Sequence, residues 1–264
     1  MTITEYGNEI VAELNNRGMT AEVFKRKKNQ KEVTSITVNP KANMAVPTIY
    51  IDEMYSLGTT VAQAVEEILR ILKQFPAKNV NDILPNITDY SVVKPLLKAR
   101  FYWNNVDADV KVSAKKYGFD DLIIVPYIVF DMVENQGAIR VHKSLLQTWG
   151  ITQKQVIADA LDNVRNDYEI KDMSDMFGLP PTIPMYVVTN HSKMFGAISV
   201  LSAREKLNRI FPEGYYVLPS SVHEVIILSK LFNGADEMLN MVKDVNATVL
   251  DAADKLSDAV YIFG

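Results

Sequence analysis

The sequence contains no cysteine and only three histidines among its 264 residues. The missing cysteine excludes disulfides, thiolate nucleophiles and cysteine-based zinc or iron–sulfur sites, and it fits a reducing cytosol. His142, His191 and His223 are widely separated and include no His-x-x-x-His pair, so the spacing typical of a zinc site is missing. We therefore expect no metal. A magnesium site made of carboxylates alone, for example at Asp120 and Asp121, stays open, although acidic pairs are common on solvated surfaces.

Glycine is also scarce, with 11 residues, and neither a Gly-x-Gly-x-x-Gly nor a Walker pattern occurs. The commonest nucleotide sites use a glycine-rich loop to cradle phosphates, so we predict no cofactor. The net charge of −4 gives no global basic field to hold nucleic acid. It also gives too little acidity for a DNA mimic.

Long apolar segments are missing as well. No stretch approaches the ~20 apolar residues that cross a bilayer. Residues 1–8 lack the basic and apolar regions of a secretory signal. Hydrophobic residues make up 48% and charged residues 23% of the chain, which is ordinary for a globular protein in water. These bounds predict a soluble, cytoplasmic protein without a membrane partner.

The length allows one large domain or two closely packed lobes. Connections rich in Asn, Asp and Lys near 76–90 and 104–116 are the candidate boundary. They would divide the chain into an N-terminal lobe, 1–105, and a C-terminal lobe, 119–264, unless the two form one continuous domain.

Helices are predicted where a capping residue precedes an apolar repeat of helical period. Thr60, Thr152 and Ser202 each begin a capping box, in which the hydroxyl accepts from an otherwise unpaired backbone N–H. Together with the apolar spacing that follows them, they predict three helices, at 60–74, 152–166 and 202–211. Apolar spacing alone predicts further helices near the N-terminus through Ile10 and Leu14, at 89–103 with a kink at Pro95, and at 236–246.

Short β-branched and aromatic runs predict ten strands, at 21–26, 33–38, 47–51, 122–130, 138–141, 185–189, 196–201, 215–218, 224–228 and 259–263. The run 122–130 is uniformly apolar, so we predict a central, buried strand that shares one mixed sheet with 224–228. Pro126 within it cannot donate a ladder hydrogen bond, which implies a bulge or an end to pairing. Interspersed helices and strands with short turns favour an α+β fold with a mixed, largely antiparallel sheet packed by amphipathic helices.

The polar hexapeptide 219–224 lies between two apolar runs and combines Ser220, Ser221, His223 and Glu224. A hydrolase would use serine as nucleophile and histidine as base, with Ser221 and His223 on the same face of a strand. There is no Gly-x-Ser-x-Gly elbow, and triad members normally come from separate segments. The favoured interpretation is a structural turn whose serines bond the local backbone.

Two other surfaces are candidates for binding. Lys25, Arg26, Lys27 and Lys28, with Lys31, form the one dense basic run, which could grip phosphates but is more typical of a solvated edge strand. The second is a methionine- and proline-rich segment, typical of adaptable surfaces that bind partners and equally of core filling. Its candidate partner-binding residues are Met173, Met176, Phe177, Met194 and Phe195.

Five patches in this order resemble one bacterial family, the domain of unknown function 5688. The patches are 47–52 with Tyr55, 149–152, 184–190 with 195–197, 219–228, and 245–246 with 256–261. Around 117–121 the family more often has a His-Arg pair, which is missing here. The resemblance implies a shared fold and no reaction. It also implies a link to anaerobic gut bacteria and their mobile elements.

The functional expectation is a non-catalytic, cytoplasmic interaction or regulatory protein that acts on another protein, for example as an anti-defence factor of a mobile element. One alternative is a hydrolase or nucleotide-modifying enzyme centred on Ser221, His223 and Glu224. The other is a nucleic-acid binder that uses the run from Lys25 to Lys31.

Overall fold

In the computed structural model, the chain forms two compact units, Met1–Ile87 and Thr88–Gly264. The described residues are 1–28, 31–41, 44–79, 86–131, 136–174, 184–219, 221–232, 236–237, 239–240, 243–244 and 254–264.

The first unit packs two long helices on a small sheet. Its elements are α1 (Ile3–Asn16), β1 (Ala21–Lys28), β2 (Lys31–Val38), β3 (Met44–Ala45), β4 (Thr48–Tyr50), α2 (Asp52–Ser56), α3 (Val61–Gln74) and β5 (Lys78–Asn79). Strands β1, β2 and β4 form one antiparallel sheet in that order, and β3 pairs with β5. Thr60 and Gln63 form the predicted capping box at the start of α3. One apolar cluster, which includes Ile10, Ile36 and Ile68, joins α1, α3 and the sheet.

The second unit contains two further antiparallel sheets. In chain order its elements are α4 (Tyr90–Val93), a 3-10 turn (Lys94–Leu96), β6 (Leu97–Trp103), β7 (Val112–Ser113), a second 3-10 turn (Lys115–Tyr117), β8 (Leu122–Asp131), β9 (Gln136–Arg140), α5 (Lys143–Trp149), α6 (Gln153–Asn163), β10 (Glu169–Asp172), β11 (Met185–Thr189), a third 3-10 turn (Gly196–Ser199), α7 (Val200–Ile210), β12 (Tyr215–Leu218), β13 (Val225–Ser229) and β14 (Tyr261–Phe263). In one sheet β8 pairs with β6, β7 and β9; the other has the order β10-β11-β13-β12-β14.

Strand β8 is the predicted buried strand, and Pro126 marks a change in its pairing. Strand β7 pairs with β8 up to Ile124, and β9 takes over from Tyr127. Pro126 stands between these two partners, where its missing N–H leaves no ladder bond unmade. The predicted end of pairing at Pro126 is therefore confirmed on that side of the strand, while β6 continues opposite it.

The two faces of the β6–β8 pair differ in character. Leu97, Ala99 and Phe101 are buried in the core, and α6 packs against both strands. Because side chains alternate along a strand, Lys98 and Arg100 point to the opposite face. Cross-strand partners share a face, so the register of Lys98 with Tyr127 puts that ring there too. This second face carries the candidate site.

Several predictions about elements are wrong. The chain from 89 to 103 is helical only at Tyr90–Val93 and in the 3-10 turn through Leu96, since Pro95 ends the helix and an alternating strand follows. Residues 196–201 form a 3-10 turn and the start of α7 instead of a strand. The helix therefore begins before Ser202, whose hydroxyl donates to the carbonyl of Val164 instead of capping.

The strands 122–130 and 224–228 do not share one sheet, because β8 pairs with β6, β7 and β9 while β13 pairs with β11 and β12. The division between the units falls within 76–90, and residues 88–105 belong to the second unit because β6 pairs with β8. The helix predicted at 236–246 lies mostly outside the described residues. The α+β class with largely antiparallel pairing is confirmed. Among the described helices, none is long and apolar enough to cross a membrane.

Candidate functional site

A cleft of about 120 Å³ opens in the second unit on the polar face of β6. Its lining comes from β6 and β8, from the segment that follows α6, and from the residues that follow β11. The charged and polar lining residues are Lys98, Arg100, Asp167, Asn190, Ser192 and Ser199, and the apolar ones include Val129, Val164, Met194, Phe195 and Ile198. This combination of unlike side chains in one concave surface is the candidate functional site.

The guanidinium of Arg100 contacts two aromatic rings at this cleft. Its guanidinium carbon is 3.8 Å from the ring centroid of Phe195 and 4.4 Å from that of Tyr127. Contacts of this kind stabilise a cation by ~0.5–2 kcal/mol, more when the site is desolvated. In the part of the chain that the structure describes, no carboxylate forms an ion pair with Arg100. The rings therefore hold its positive charge in place.

The second cation of the cleft, Lys98, faces a carboxylate. Its Nζ is 3.6 Å from Oδ2 of Asp167. Oδ1 of Asp167 accepts the backbone N–H of His191 at 3.1 Å and contacts its ring Nδ1 at 2.8 Å. Partial burial would raise the pKa of Asp167, but the bonds from His191 and the charge of Lys98 outweigh it, and the pKa is lowered. Asp167 is therefore a carboxylate that balances Lys98.

The side chain of Asn190 bonds the loop between β11 and the 3-10 turn at two points. The Asn190 amide donates to the carbonyl of Met194 at 2.9 Å and accepts its N–H at 3.1 Å. Lys193 and Phe195 both adopt left-handed backbone conformations, with φ of 55° and 54°. Such conformations cost ~1–3 kcal/mol in a residue other than glycine, so the surrounding contacts must hold them. The result is that Met194 stands out from the loop with 52% of its surface exposed.

His223 accepts a hydrogen bond from the backbone of Phe195 and contacts its ring. The backbone N–H of Phe195 donates to Nδ1 of His223 at 3.2 Å, and the two rings are 5.2 Å apart. A ring nitrogen that accepts a hydrogen bond carries no proton, so this contact assigns the proton of the neutral imidazole to Nε2. Nε2 lies 3.8 Å from Oδ1 of Asp254.

Gly196 allows the two segments to approach closely. A Cβ at this position would lie 2.5 Å from the backbone nitrogen of Asn190 and 2.7 Å from the carbonyl oxygen of His223. Thr189 donates its hydroxyl to the same His223 carbonyl at 2.8 Å, and the N–H of Ala197 donates to the carbonyl of Val222 at 3.2 Å. The turn 221–223 and the loop that carries Met194 and Phe195 are thus one hydrogen-bonded assembly.

A model of the family DUF5688, described as a family of unknown function, matches residues 4–264. The chain belongs to this family. The resemblance predicted from the five sequence patches is therefore confirmed. No curated protein and no solved structure matches the chain. Membership in DUF5688 supplies no reaction.

The reactive atoms of the residues considered for hydrolase chemistry do not contact one another as a catalytic pair. The Ser221 hydroxyl accepts the backbone N–H of His223 at 3.0 Å, and Ser221 is buried. A serine nucleophile needs its hydroxyl bonded to an imidazole nitrogen, but Nδ1 of His223 faces Phe195 and Nε2 faces Asp254. Glu224 is half-buried immediately before β13, and Ser220 lies outside the described residues.

The predicted partner-binding residues separate into three groups. Met194 and Phe195 line the cleft. Met173 packs on the apolar cluster that contains Met185 and Leu228. Met176 and Phe177 lie outside the described residues.

The predicted basic run lies on β1, in the first unit. Lys25 and Arg26 are exposed, and within the described residues β1 pairs only with β2, so it is an edge strand. Nζ of Lys25 is 3.4 Å from Glu32, and the Arg26 guanidinium lies 5.4 Å from the Phe24 ring centroid. Lys27 and Lys28 are the last residues of the same strand.

The histidines are each beside a different aspartate. His142 is 3.3 Å from Asp109, in the same way that His191 and His223 contact Asp167 and Asp254. Across the described ranges no group of three His, Cys, Asp or Glu side chains could hold a metal ion. Asp121 instead accepts the hydroxyl of Ser257 at 2.6 Å.

Sequence reasoning missed Lys98, Arg100 and Asp167. The first two were assigned to a helix, because Val92, Val93, Leu96 and Leu97 match helical spacing. The usable signal was the alternation of Lys98 and Arg100 with buried apolar residues, which is typical of a strand with one polar face. Asp167 follows α6 in a turn, and only the fold brings it to Lys98.

Proposed function

We propose that this DUF5688 protein is a non-catalytic recognition protein that binds another protein at the cleft beside Met194 and Phe195. The observation that carries the proposal is the display of Met194. Its side chain is about half exposed although the loop beneath it is fixed by Asn190 and His223. An exposed methionine on an ordered support is adaptable in contact and costs little backbone entropy when it binds.

The size and charge of the cleft support a role in contact with a protein surface. Pockets for drug-sized molecules occupy ~300–1,000 Å³, whereas this cleft measures about 120 Å³. Such a recess suits one or two side chains of a partner. Lys98 and Asp167 balance each other, and among the described residues no carboxylate pairs with Arg100.

The geometry gives less support to catalysis. Ser221 bonds the backbone of its own turn, and His223 uses Nδ1 to hold Phe195. Both residues thus support the loop that displays Met194. These hydrogen bonds favour a structural role for the turn 221–223 and a binding role for the cleft.

We further propose that the protein acts in the cytoplasm, as a regulator or anti-defence factor of a mobile element. The cytoplasmic assignment is supported by the complete lack of cysteine, which fits a reducing compartment. The mobile-element link is supported only by the family resemblance. Fractionation of the native cell and deletion of the gene from its element would test these two statements.

The decisive experiment is co-purification of the tagged protein from its native cell, with Met194→Glu compared against Leu231→Glu. Leu231 is a matched control because it is 69% exposed and lies in the same unit. We expect Met194→Glu to lose a partner that the wild type and Leu231→Glu both retain through size-exclusion chromatography. Thermal unfolding would verify that both variants are folded. Retention of every partner by folded Met194→Glu would sink the proposal.

A further inference from the structure

We propose that Arg100 anchors the carboxylate of an aspartate or glutamate side chain that the partner protein inserts into the cleft. This inference rests on the proposed function and names the chemistry that the cleft recognises. The partner segment would carry its acidic residue beside an apolar one, because Arg100 shares the cleft with Met194 and Ile198.

The guanidinium of Arg100 forms hydrogen bonds in defined directions. Phe195 and Tyr127 lie over Arg100 at 3.8 and 4.4 Å. Aromatic contacts of this kind use the faces of the planar group, while its five N–H donors point outward in the plane. The Tyr102 hydroxyl is one neighbour of these donors; burial raises the pKa of Tyr102 and the bond to Arg100 opposes that rise. A guanidinium presents pairs of such donors in a fork that matches the two oxygens of a carboxylate.

The described residues that line the cleft carry one positive charge in excess. Arg100 and Lys98 supply two positive charges, and Asp167 supplies one negative charge next to Lys98. A ligand with a single negative charge therefore neutralises the cleft. A phosphate group carries ~1.5–2 negative charges near neutral pH and would repel the Asp167 carboxylate. The charge balance thus favours a carboxylate over a phosphorylated residue.

The other polar groups of the cleft form hydrogen bonds within the protein. Both ends of the Asn190 amide bond the loop, and the Ser192 hydroxyl donates to Asn190. The Ser199 hydroxyl donates to the Asp167 carbonyl at 2.7 Å. Because these groups are occupied by the protein itself, recognition of charge falls to Arg100. The apolar remainder of the lining suits the methylene groups of an acidic side chain.

The test is an NMR titration of the Arg100 side-chain Nε–H signal with blocked pentapeptides, acetylated and amidated, of sequence Gly-Leu-Glu-Leu-Gly. We expect a saturable shift in the wild type, and a dissociation constant raised about tenfold or more when Gln replaces Glu, since a charge-assisted bond is lost. Two further titrations of the wild type use a peptide with phosphoserine in place of Glu and the Gln peptide with a free C-terminus. A third titrates the Glu peptide into the Arg209→Gln variant. Arg209 is a matched control because it is exposed on α7 and paired with Glu205.

Each outcome decides between sources of the anion. Tighter binding of the phosphoserine peptide would overturn the carboxylate, and tighter binding of the free C-terminus would overturn the side-chain source. The lack of any saturable shift in the millimolar range would overturn the anchor itself. Arg100→Gln, assayed by co-purification after its folding is verified, separates the two proposals. If it keeps the partner that Met194→Glu loses, the recognition function stands and the role of Arg100 falls.

Discussion

The backbone N–H of Phe195 donates to Nδ1 of His223, and the Phe195 ring lies under the guanidinium of Arg100. This chain of contacts connects the turn 221–223, which contains Ser221 and His223, to Arg100, for which the described residues supply no carboxylate partner. His223 therefore has a structural role that requires no reaction. His223 holds a non-glycine residue in a left-handed conformation, and that residue positions Arg100.

Replacing His223 should therefore lower stability according to whether the new side chain can accept the Phe195 N–H. We expect His223→Ala to reduce the free energy of unfolding by ~1–3 kcal/mol, because a partly buried N–H loses its acceptor. His223→Asn should restore most of it, since its amide oxygen can occupy the position of Nδ1. His142→Ala is the control, as His142 is more than half exposed. Equal losses in all three variants, measured by denaturant unfolding, would contradict this role.

Gly196→Ala should be among the most damaging small changes in the second unit. The added methyl carbon would meet the backbone of Asn190 at 2.5 Å and that of His223 at 2.7 Å, and backbone atoms cannot move aside as a flexible side chain can. Overpacking of this kind costs ~1–3 kcal/mol or more.

The matched control is Gly150→Ala, where no atom lies within 4 Å but φ is +67°. That variant should lose only the ~1 kcal/mol or so of left-handed strain. Thermal unfolding of both variants is the measurement. A Gly150→Ala variant less stable than Gly196→Ala would show that the close approach of the two segments is unimportant.

The helices with both a cap and an apolar repeat could be predicted from sequence, and the cleft could not. Thr60 begins α3 as predicted because its capping box and apolar stripe are both local signals. Residues 97–103 have a local spacing compatible with a helix, but Pro95 and pairing with β8 make them a strand. Ser202 matches a capping box by chance, inside a helix that begins two residues earlier.

The site itself depends on contacts between residues distant in sequence. Arg100 meets Phe195 across 95 positions of the chain, and no periodicity or motif encodes such a pair. Met194 and Phe195 were identified because their residue types are typical of binding surfaces, whatever the fold. Lys98 and Asp167 are ordinary surface residue types, and their meeting follows only from the packing of α6 and its following turn on β6.

A polar network around the buried carboxylate of Asp159 should help to attach residues 88–96 to α6. The carboxylate accepts the Tyr90 hydroxyl at 2.5 Å and the Gln155 amide at 3.0 Å, and Lys94 lies 3.2 Å away. Asp159→Ala leaves the Tyr90 hydroxyl without its acceptor and should cost ~1.5–3 kcal/mol. Lys94 and Gln155 are exposed, so water can replace their contacts with the carboxylate.

Tyr90→Phe removes one bond of the same network and should cost about 1.5–3 kcal/mol. Hydrogen exchange of the backbone amides near 90–97 would measure both effects locally. If exchange there is unchanged in Asp159→Ala while global unfolding is also unchanged, the network does not attach this segment.

The Asp167 carboxylate should make the stability of the second unit depend on acidity. Its pKa is lowered in the folded state from the ordinary value of 3.8. A group with a depressed folded pKa contributes stability above its unfolded pKa and loses that contribution as the pH falls through the folded value. We therefore expect Asp167→Asn to be less stable than the wild type at neutral pH, and this difference to shrink below a pH of about 3.8.

Asp120→Asn is the control, because the Asp120 side chain is 76% exposed and only loosely paired with Lys115 at 3.9 Å. Denaturant unfolding of both variants between pH 2 and 7 is the measurement. The Asp167→Asn variant should also leave Lys98 unbalanced, so the cleft would carry two positive charges. If the carboxylate anchor is correct, the preference for the phosphoserine peptide over the glutamate peptide should be greater in this variant than in the wild type. An unchanged preference would mean that Asp167 does not set the charge that the cleft accepts.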